Sequence, residues 1–331
     1  MSVHLDYTFV SMRERLKRKI LVTDKVHSIL LDGLEQMGHE VTYTPKMSYA
    51  DVCDEVSQYD AIIINSKVIC DQAFLLDNQH LNFIGRLGSG LDIIDLRYAE
   101  ELGIAIISSP EGNANAVGEH CLGMLLMLLH QLNSAHATVQ KGEWIREAHR
   151  GEALRGKTIG IVGFGHTGPA FAEKLNGMGV DILVYDKYKK DIAQEGLEQV
   201  NFQELKERAD IVSIHLPLTD ETKDMVDDSF FGSLRSGAII INTSRGLILK
   251  SEDLLNHLKT GHMGGACLDV LENEKPDTWA DREKKIYLDL LNHEKVVATP
   301  HVAGWTHQSL RLIAEVLLEK IGEYYKECKI T

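Results

Sequence analysis

From Lys19 to Pro110 short apolar runs alternate with longer amphipathic stretches: Ile20-Leu21-Val22, Glu40-Val41-Thr42-Tyr43, Ala61-Ile62-Ile63-Ile64, Phe83-Ile84-Gly85 and Ile104-Ala105-Ile106-Ile107. Their hydrophobicity is continuous rather than alternating, which is the pattern of parallel strands covered on both faces and predicts a first open α/β sheet. The rhythm restarts at Lys157, with strands predicted at Thr158 to Val162, Ile182 to Tyr185, Ile211 to His215, Ala238 to Asn242, Gly265 to Asp269 and Val296 to Ala298. Six strands with helical spacers predict a second sheet. Between the two series, Ala116 to Asn133 carries apolar residues around most of a helix surface and reads as a buried bridge. A last amphipathic segment, Thr306 to Tyr325, is expected to return to the first domain. The expected organisation is therefore a discontinuous domain of residues 1–111 plus 301–331 and a second domain of residues 112–300.

Charge narrows the partners. The chain of 331 residues carries 35 basic and 49 acidic side chains, a net of -14, so phosphate backbones and anionic membrane surfaces are repelled on average. Neither a nucleic-acid nor a membrane partner is expected. The five cysteines, Cys53, Cys70, Cys121, Cys267 and Cys328, are scattered without a CxxC spacing, which suits reduced structural thiols in a reducing compartment. The longest apolar run, Cys121 to Leu129, is about half of the roughly 20 residues that span a bilayer. The basic stretch Arg13 to Lys19 is followed by no long apolar region. No secretory signal is expected, and the location read from these features is the cytoplasm.

The second series opens on Lys157-Thr158-Ile159-Gly160-Ile161-Val162-Gly163-Phe164-Gly165-His166-Thr167-Gly168. A strand that runs into GxGxxG and then a helix is the Rossmann fingerprint for a dinucleotide. Gly163 supplies the tight bend, Gly165 lets the backbone approach a pyrophosphate, and Gly168 permits close contact of helix and strand. The helix N-terminus then faces the phosphates. GxGxxG alone is weak evidence; the distal acid strengthens it. Asp186, after Ile182-Leu183-Val184-Tyr185, is placed to accept hydrogen bonds from an adenosine ribose diol and to repel a 2′-phosphate, which favours NAD over NADP. Lys187, Lys189 and Lys190 follow closely and oppose that preference.

Ligands of open α/β sheets sit beyond the carboxyl ends of the strands. There the second series places His215-Leu216-Pro217, Asn242-Thr243-Ser244-Arg245-Gly246, Asp269 and Thr299-Pro300-His301. Hydride transfer to a keto acid needs a cation for the carboxylate and carbonyl, and a proton donor for the oxygen. Arg245 offers a planar fork matched to a carboxylate, and His301 can give or take a proton near neutral pH. A carboxylate beside the histidine would favour its protonated form. Glu274 is the expected partner, with Glu272 its nearest rival.

Taken together these motifs resemble the D-isomer specific 2-hydroxyacid dehydrogenases, and among them the phosphoglycerate dehydrogenase-like members. The resemblance covers nearly the whole chain from Ile20. It is carried by Gly85-Arg86-Leu87-Gly88-Ser89-Gly90-Leu91-Asp92, Asn115-Ala116-Val117-Gly118-Glu119-His120, the glycine fingerprint, His215-Leu216-Pro217-Leu218-Thr219, Asn242-Thr243-Ser244-Arg245-Gly246, Leu268-Asp269-Val270 and Thr299-Pro300-His301. It implies a Rossmann-type NAD-binding domain and a second, flavodoxin-like α/β catalytic domain that holds the substrate. It implies that Arg245 binds and polarises the substrate, that Glu274 supports the histidine, and that His301 is the acid/base. The amides of Gly88, Ser89 and Gly90 would hold the substrate carboxylate, and Asp269 the nicotinamide amide. The cofactor set carried by the motifs is Gly163, Gly165, His166, Thr167, Gly168, Asp186, His215, Pro217, Thr222, Thr243 and Asp269, with no metal. A homodimer built largely through the cofactor domains is implied as well.

Two departures bear on the substrate. Where phosphoglycerate-specific members carry an arginine, this chain has Asn65-Ser66-Lys67, which leaves Lys67, Arg86 and Lys141 as candidate phosphate ligands. The sequence ends at Thr331 without a further regulatory domain, so serine feedback through one is not expected. The reading is an NAD-dependent dehydrogenase of a small 2-hydroxy or 2-keto acid, with 3-phosphoglycerate a candidate. The alternative is an NAD(H)-sensing, corepressor-like binding protein of the same fold, against which the Arg245, Glu274 and His301 set argues. A formate dehydrogenase carries an amide where this chain has Glu274.

Overall fold

The computed structural model describes residues 18–192 and 195–327. Cys328 and the basic stretch up to Lys17 lie outside the described residues. The chain divides into two compact units, residues 1–113 with 306–331, and residues 114–305.

The first unit is built on five parallel strands, β1 (Lys19–Val22), β2 (Glu40–Tyr43), β3 (Ala61–Ile64), β4 (Phe83–Arg86) and β5 (Ala105–Ser108), in the order β2-β1-β3-β4-β5. This is the flavodoxin-like order, with its switch point between β1 and β3. Successive side chains of one strand enter opposite cores, which is why the runs are apolar at every position. Leu21, Ile62, Ile64 and Ile84 pack on one face. Ile20, Val22, Ile63 and Phe83 pack on the other, against Leu30 and Leu34 of the helix Ser28–Gln36 and Ala314, Leu317 and Ile321 of the helix His307–Glu327. That last helix is also tied by Lys320, whose ammonium donates to the Ser108 carbonyl at 3.0 Å and to the Glu111 carboxylate at 2.8 Å.

The second unit holds seven parallel strands, β6 (Thr158–Val162), β7 (Asp181–Tyr185), β8 (Leu197–Gln199), β9 (Ile211–Ile214), β10 (Ala238–Asn242), β11 (Met263–Leu268) and β12 (Val296–Ala298), in the order β12-β11-β10-β9-β6-β7-β8. It is a Rossmann-type doubly wound sheet whose order reverses between β6 and β9. The same two-faced burial recurs. Val162, Leu183, Val212, Ile214 and Ile240 enter one core, and Ile159, Ile161, Ile182, Val184, Ile211 and Ile241 the other. The seventh strand, β8, escapes the hydrophobic pattern because its Leu197-Glu198-Gln199 is short, mostly polar and on the sheet edge.

The boundary between the units falls after Trp305 rather than at Pro300, so His301 belongs to the second unit. Ala303 is buried in the second unit's core, and the amides of Val302 and Ala303 donate to Asp269 at 2.9 and 2.8 Å, which binds that stretch to β11. The apolar helix runs Glu111–Leu129 and stops before Gln131, whose backbone is left-handed at φ 51°; a second helix follows over Leu132–Gln140. Val117, Cys121, Met124, Leu125 and Leu129 are buried in the second unit itself. Among the described residues no helix is long and apolar enough to cross a membrane.

Leu317 is fully buried against the first sheet. Leu317→Ala is expected to destabilise the protein by about 2–5 kcal/mol, read as a fall in the urea midpoint. A loss under about 1 kcal/mol would contradict the packing described for the C-terminal helix.

Candidate active site

The candidate residues of the second unit follow three neighbouring strands. β10, β11 and β12 lie side by side in the sheet, so the turns that leave their carboxyl ends, bearing Arg245, Glu274 and His301, start next to one another. The Arg245 turn is held by the side chain at its strand end. Asn242, 1% exposed, donates through Nδ2 to the Arg245 carbonyl at 3.0 Å and accepts the Ser244 amide at 3.1 Å. Gly246 is the residue that allows the next contact. A Cβ there would overlap the Leu271 carbonyl and crowd the Glu272 amide, so only glycine lets the Arg245 turn lie against the loop that leads to Glu274. The Arg245 guanidinium bonds its neighbour's carbonyl, Ser244, through Nη1 at 2.7 Å.

His301 and Glu274 are hydrogen-bonded, with Nδ1 2.8 Å from Oε2 and both side chains about half exposed. An ionised carboxylate only accepts, so Nδ1 carries a proton, and Nε2 is the nitrogen that can exchange one with a ligand. Glu272 is excluded from that role. It accepts the Ser251 amide at 2.8 Å and the Ser251 hydroxyl at the start of the helix Ser251–Lys259, and burial pushes its carboxyl up against the opposing pull of those bonds.

The glycine turn has the form a dinucleotide needs. Gly163 sits at φ 93°, and a Cβ on it would overlap the His215 carbonyl; a Cβ on Gly168 would overlap the carbonyl of Gly163. A Cβ on Gly165 would meet nothing within 4 Å, so the turn is tight on the side facing the sheet and open at its middle, where His166 is also exposed. Asp186, at the end of β7, accepts the amides of Phe164 at 2.8 Å and of Tyr188 and Lys189 at 2.9 Å. Burial would raise its carboxyl, but those N–H bonds outweigh it and hold the group below the usual carboxylate range. Of the three lysines that follow, Lys187 pairs with Glu221, Lys189 donates to the Phe164 carbonyl at 2.8 Å and lies near enough to Asp186 to help hold its carboxyl down, and Lys190 is exposed.

Several other expected ligands direct their polar atoms to their own chain. His215 is buried, its ring bonded to Ser213 at 2.8 Å and Thr167 at 3.1 Å, and burial pushes it down to about 3. It is therefore a neutral prop for the start of the helix Thr167–Lys174. Thr222 donates to the carbonyl of the exposed Pro217 at 2.6 Å, and Thr243 bonds the Cys121 thiol at 3.2 Å. Asp269, expected on the nicotinamide amide, has a side chain with no exposed surface, and its carboxylate accepts from Thr299, Val302 and Ala303.

In the first unit, Gly88 donates its amide to the Ser109 hydroxyl at 3.1 Å, which commits it locally, whereas Ser89 is exposed and Gly90 half-buried. Of the candidate phosphate ligands, Lys67 donates its ammonium to the carbonyls of Thr23 and of Met47, the latter at 2.8 Å. Arg86 bonds the Leu87 carbonyl, and Lys141 is exposed at the end of the helix Leu132–Gln140. The anchoring of turns by Asn242, Thr299 and His120 went unread in the sequence, although all three stand in the quoted motifs. The available signal was a polar residue interrupting an apolar strand end or helix face.

The second unit matches the family model of the D-isomer specific 2-hydroxyacid dehydrogenase NAD-binding domain over residues 122–303. The chain is 31% identical over 305 residues to a D-3-phosphoglycerate dehydrogenase of Archaeoglobus fulgidus, covering 92% of this chain and 56% of that one. It therefore spans about half the length of such relatives. It is 30% identical over 298 residues to a hydroxypyruvate reductase of Thermotoga maritima, covering 90% of this chain and 94% of the relative. Its fold is also that of a D-lactate dehydrogenase from Aquifex aeolicus solved with NAD and lactic acid, with a TM-score of 0.82 at 24% identity over 93% of this chain and 96% of the other. With the glycine turn, the acidic strand end and the three neighbouring turns in place, the chain belongs to the D-isomer specific 2-hydroxyacid dehydrogenase family and carries that family's NAD-binding domain.

Proposed function

We propose that the protein is an NAD-dependent dehydrogenase that interconverts a small 2-keto acid and its D-2-hydroxy acid, with the second unit holding the cofactor. The observation that carries this reading is the pairing of His301 with Glu274 at 2.8 Å. A binding protein that only senses NAD(H) has no use for an imidazole held as a proton donor, so the pair also favours an enzyme over the corepressor-like alternative. The Phe164 to Gly168 turn would hold the pyrophosphate and Asp186 the adenosine ribose. When bound, NADH supplies the hydride.

The other steps belong to side chains of this protein. The planar fork of Arg245 suits a substrate carboxylate. As negative charge grows on the C2 oxygen, His301 donates its Nε2 proton, and Glu274 stabilises the imidazolium before the transfer. Phosphohydroxypyruvate and hydroxypyruvate lead the substrates to be examined, because similar proteins bear the corresponding names. NADH consumption against these two, glyoxylate and pyruvate tests the reading; absence of turnover across the panel would overturn it.

His301→Ala is expected to lower turnover by roughly a hundredfold to ten-thousandfold while leaving NADH affinity little changed. Glu274→Gln keeps the shape and removes the charge that stabilises the imidazolium, so turnover should fall roughly tenfold or more with NADH affinity little changed. Parent turnover in Glu274→Gln would contradict the role given to Glu274.

NAD(H) should bind at least about tenfold more tightly than NADP(H), a difference of ~1.4 kcal/mol. The anionic Asp186 would face the ribose and repel a 2′-phosphate, and Lys187 is held by Glu221. Equal affinities in parallel fluorescence titrations would contradict that account.

A homodimer is proposed on narrower grounds than the apolarity of the whole bridging helix, since much of that helix is buried in its own unit. Exposed apolar side chains follow just beyond it in the sequence, at Leu132 (52% exposed), Val139, Ile145 and Trp144 (81% exposed), and burying such side chains favours association. Light scattering should give twice the chain mass; a monomer at micromolar concentration would contradict this.

A further inference from the structure

We propose that Asp269 is a positioning residue whose buried carboxylate grips the turn on both sides of His301 and so holds the imidazole against Glu274. The proposal rests on the reading of His301 as the acid/base. Asp269 follows the last residue of β11, and its amide donates to the Asn242 carbonyl at 2.9 Å, fixing it beside the Arg245 turn. Its side chain has no exposed surface. Oδ1 accepts the Thr299 hydroxyl at 2.6 Å and the Val302 amide at 2.9 Å, and Oδ2 accepts the Ala303 amide at 2.8 Å. The backbone completes the clamp, since the His301 amide donates to the Asp269 carbonyl at 2.7 Å. One residue thus bonds positions 299, 301, 302 and 303.

The backbone of His301 shows what the clamp does. Its φ is 55°, a left-handed conformation unfavourable for a residue with a Cβ. A left-handed residue followed by successive amides turned to one side forms a concavity that suits an anion, and here the anion is the Asp269 carboxylate. The strained conformation that aims the imidazole and the bonds that offset its cost are therefore one arrangement. Thr299 extends it. Its single hydroxyl proton goes to Asp269, so its oxygen accepts from His120 Nε2 at 2.9 Å, and His120 itself lies 3.7 Å from Oδ1. His120 belongs to the helix Glu111–Leu129, so that helix also braces the turn.

The partners of Asp269 are all donors. Asp269→Asn preserves the shape but replaces one acceptor with an NH₂ group that must face either the Ala303 amide or the Thr299 and Val302 donors. The turn should then relax and the imidazole lose its place. A misplacement on this scale lowers turnover on the order of a hundredfold.

The test compares Asp269→Asn, Thr299→Val and Thr299→Ser with the parent in three readouts: turnover, NADH affinity by fluorescence, and the ¹⁵N signal of His301, assigned by its loss in His301→Ala. The expected result for Asp269→Asn is a large fall in turnover with NADH affinity little changed and the His301 signal displaced. Thr299→Val should lose roughly tenfold in turnover, and Thr299→Ser, which keeps the hydroxyl, should recover most of it. A loss that appears entirely as weaker NADH binding with an unmoved His301 signal would overturn the proposal and make Asp269 a cofactor contact. Parent turnover in both Asp269→Asn and Thr299→Val would also overturn it. Should Asp269→Asn fail to fold, the Thr299 pair decides by the same criteria. Full turnover in His301→Ala would instead defeat the acid/base reading, and the ¹⁵N comparison would still report whether Asp269 holds the ring.

Discussion

A carboxylate with no contact with water requires a donor for its lone pairs, and Asp269 obtains its donors from the turn that carries His301. This requirement orders the surrounding structure. The turn after β12 is drawn to the end of β11, and the end of β11 is bonded to the end of β10. Asn242 acts in the same way one strand away, with a buried amide that shapes the Arg245 turn. The candidate side chains Arg245 and His301 project from turns that are bonded to strand-end residues, as precise placement of reacting groups requires.

The framework of strands is legible in the sequence because covering a parallel sheet on both faces demands apolar residues at every position. Ile62 and Ile63 are neighbours in sequence and lie in different cores, so neither can be polar. The same physics conceals β8, which has one neighbour and little burial, and whose Glu198 and Gln199 carry no strand signature. The glycine turn is legible for a related reason. Its backbone geometry excludes any Cβ at Gly163 and Gly168, so the constraint is written in residue identity at fixed spacing.

Side-chain direction is what the pattern of residues could not show. Glu272 and Glu274 differ by two positions, yet one faces inward to Ser251 and the other outward to His301. Periodicity cannot separate them in an irregular loop. Lys67 stood as a phosphate candidate, but its ammonium satisfies backbone carbonyls of a neighbouring turn, a demand that arises only once β1 and the following loops are folded together. His215 and Asp269 were read as ligands for the cofactor because polar residues at strand ends usually face the ligand. In this fold the polar atoms of both bond their own chain, His215 to Ser213 and Thr167 and Asp269 to Thr299, Val302 and Ala303.

The central claim is that this chain forms D-2-hydroxy acids from 2-keto acids. Its most direct test is the configuration of the product. Incubation with NADH and hydroxypyruvate or phosphohydroxypyruvate, followed by chiral chromatography of the 2-hydroxy acid formed, should yield the D enantiomer alone. A racemic or L product, or unchanged keto acid with both substrates, would contradict the account.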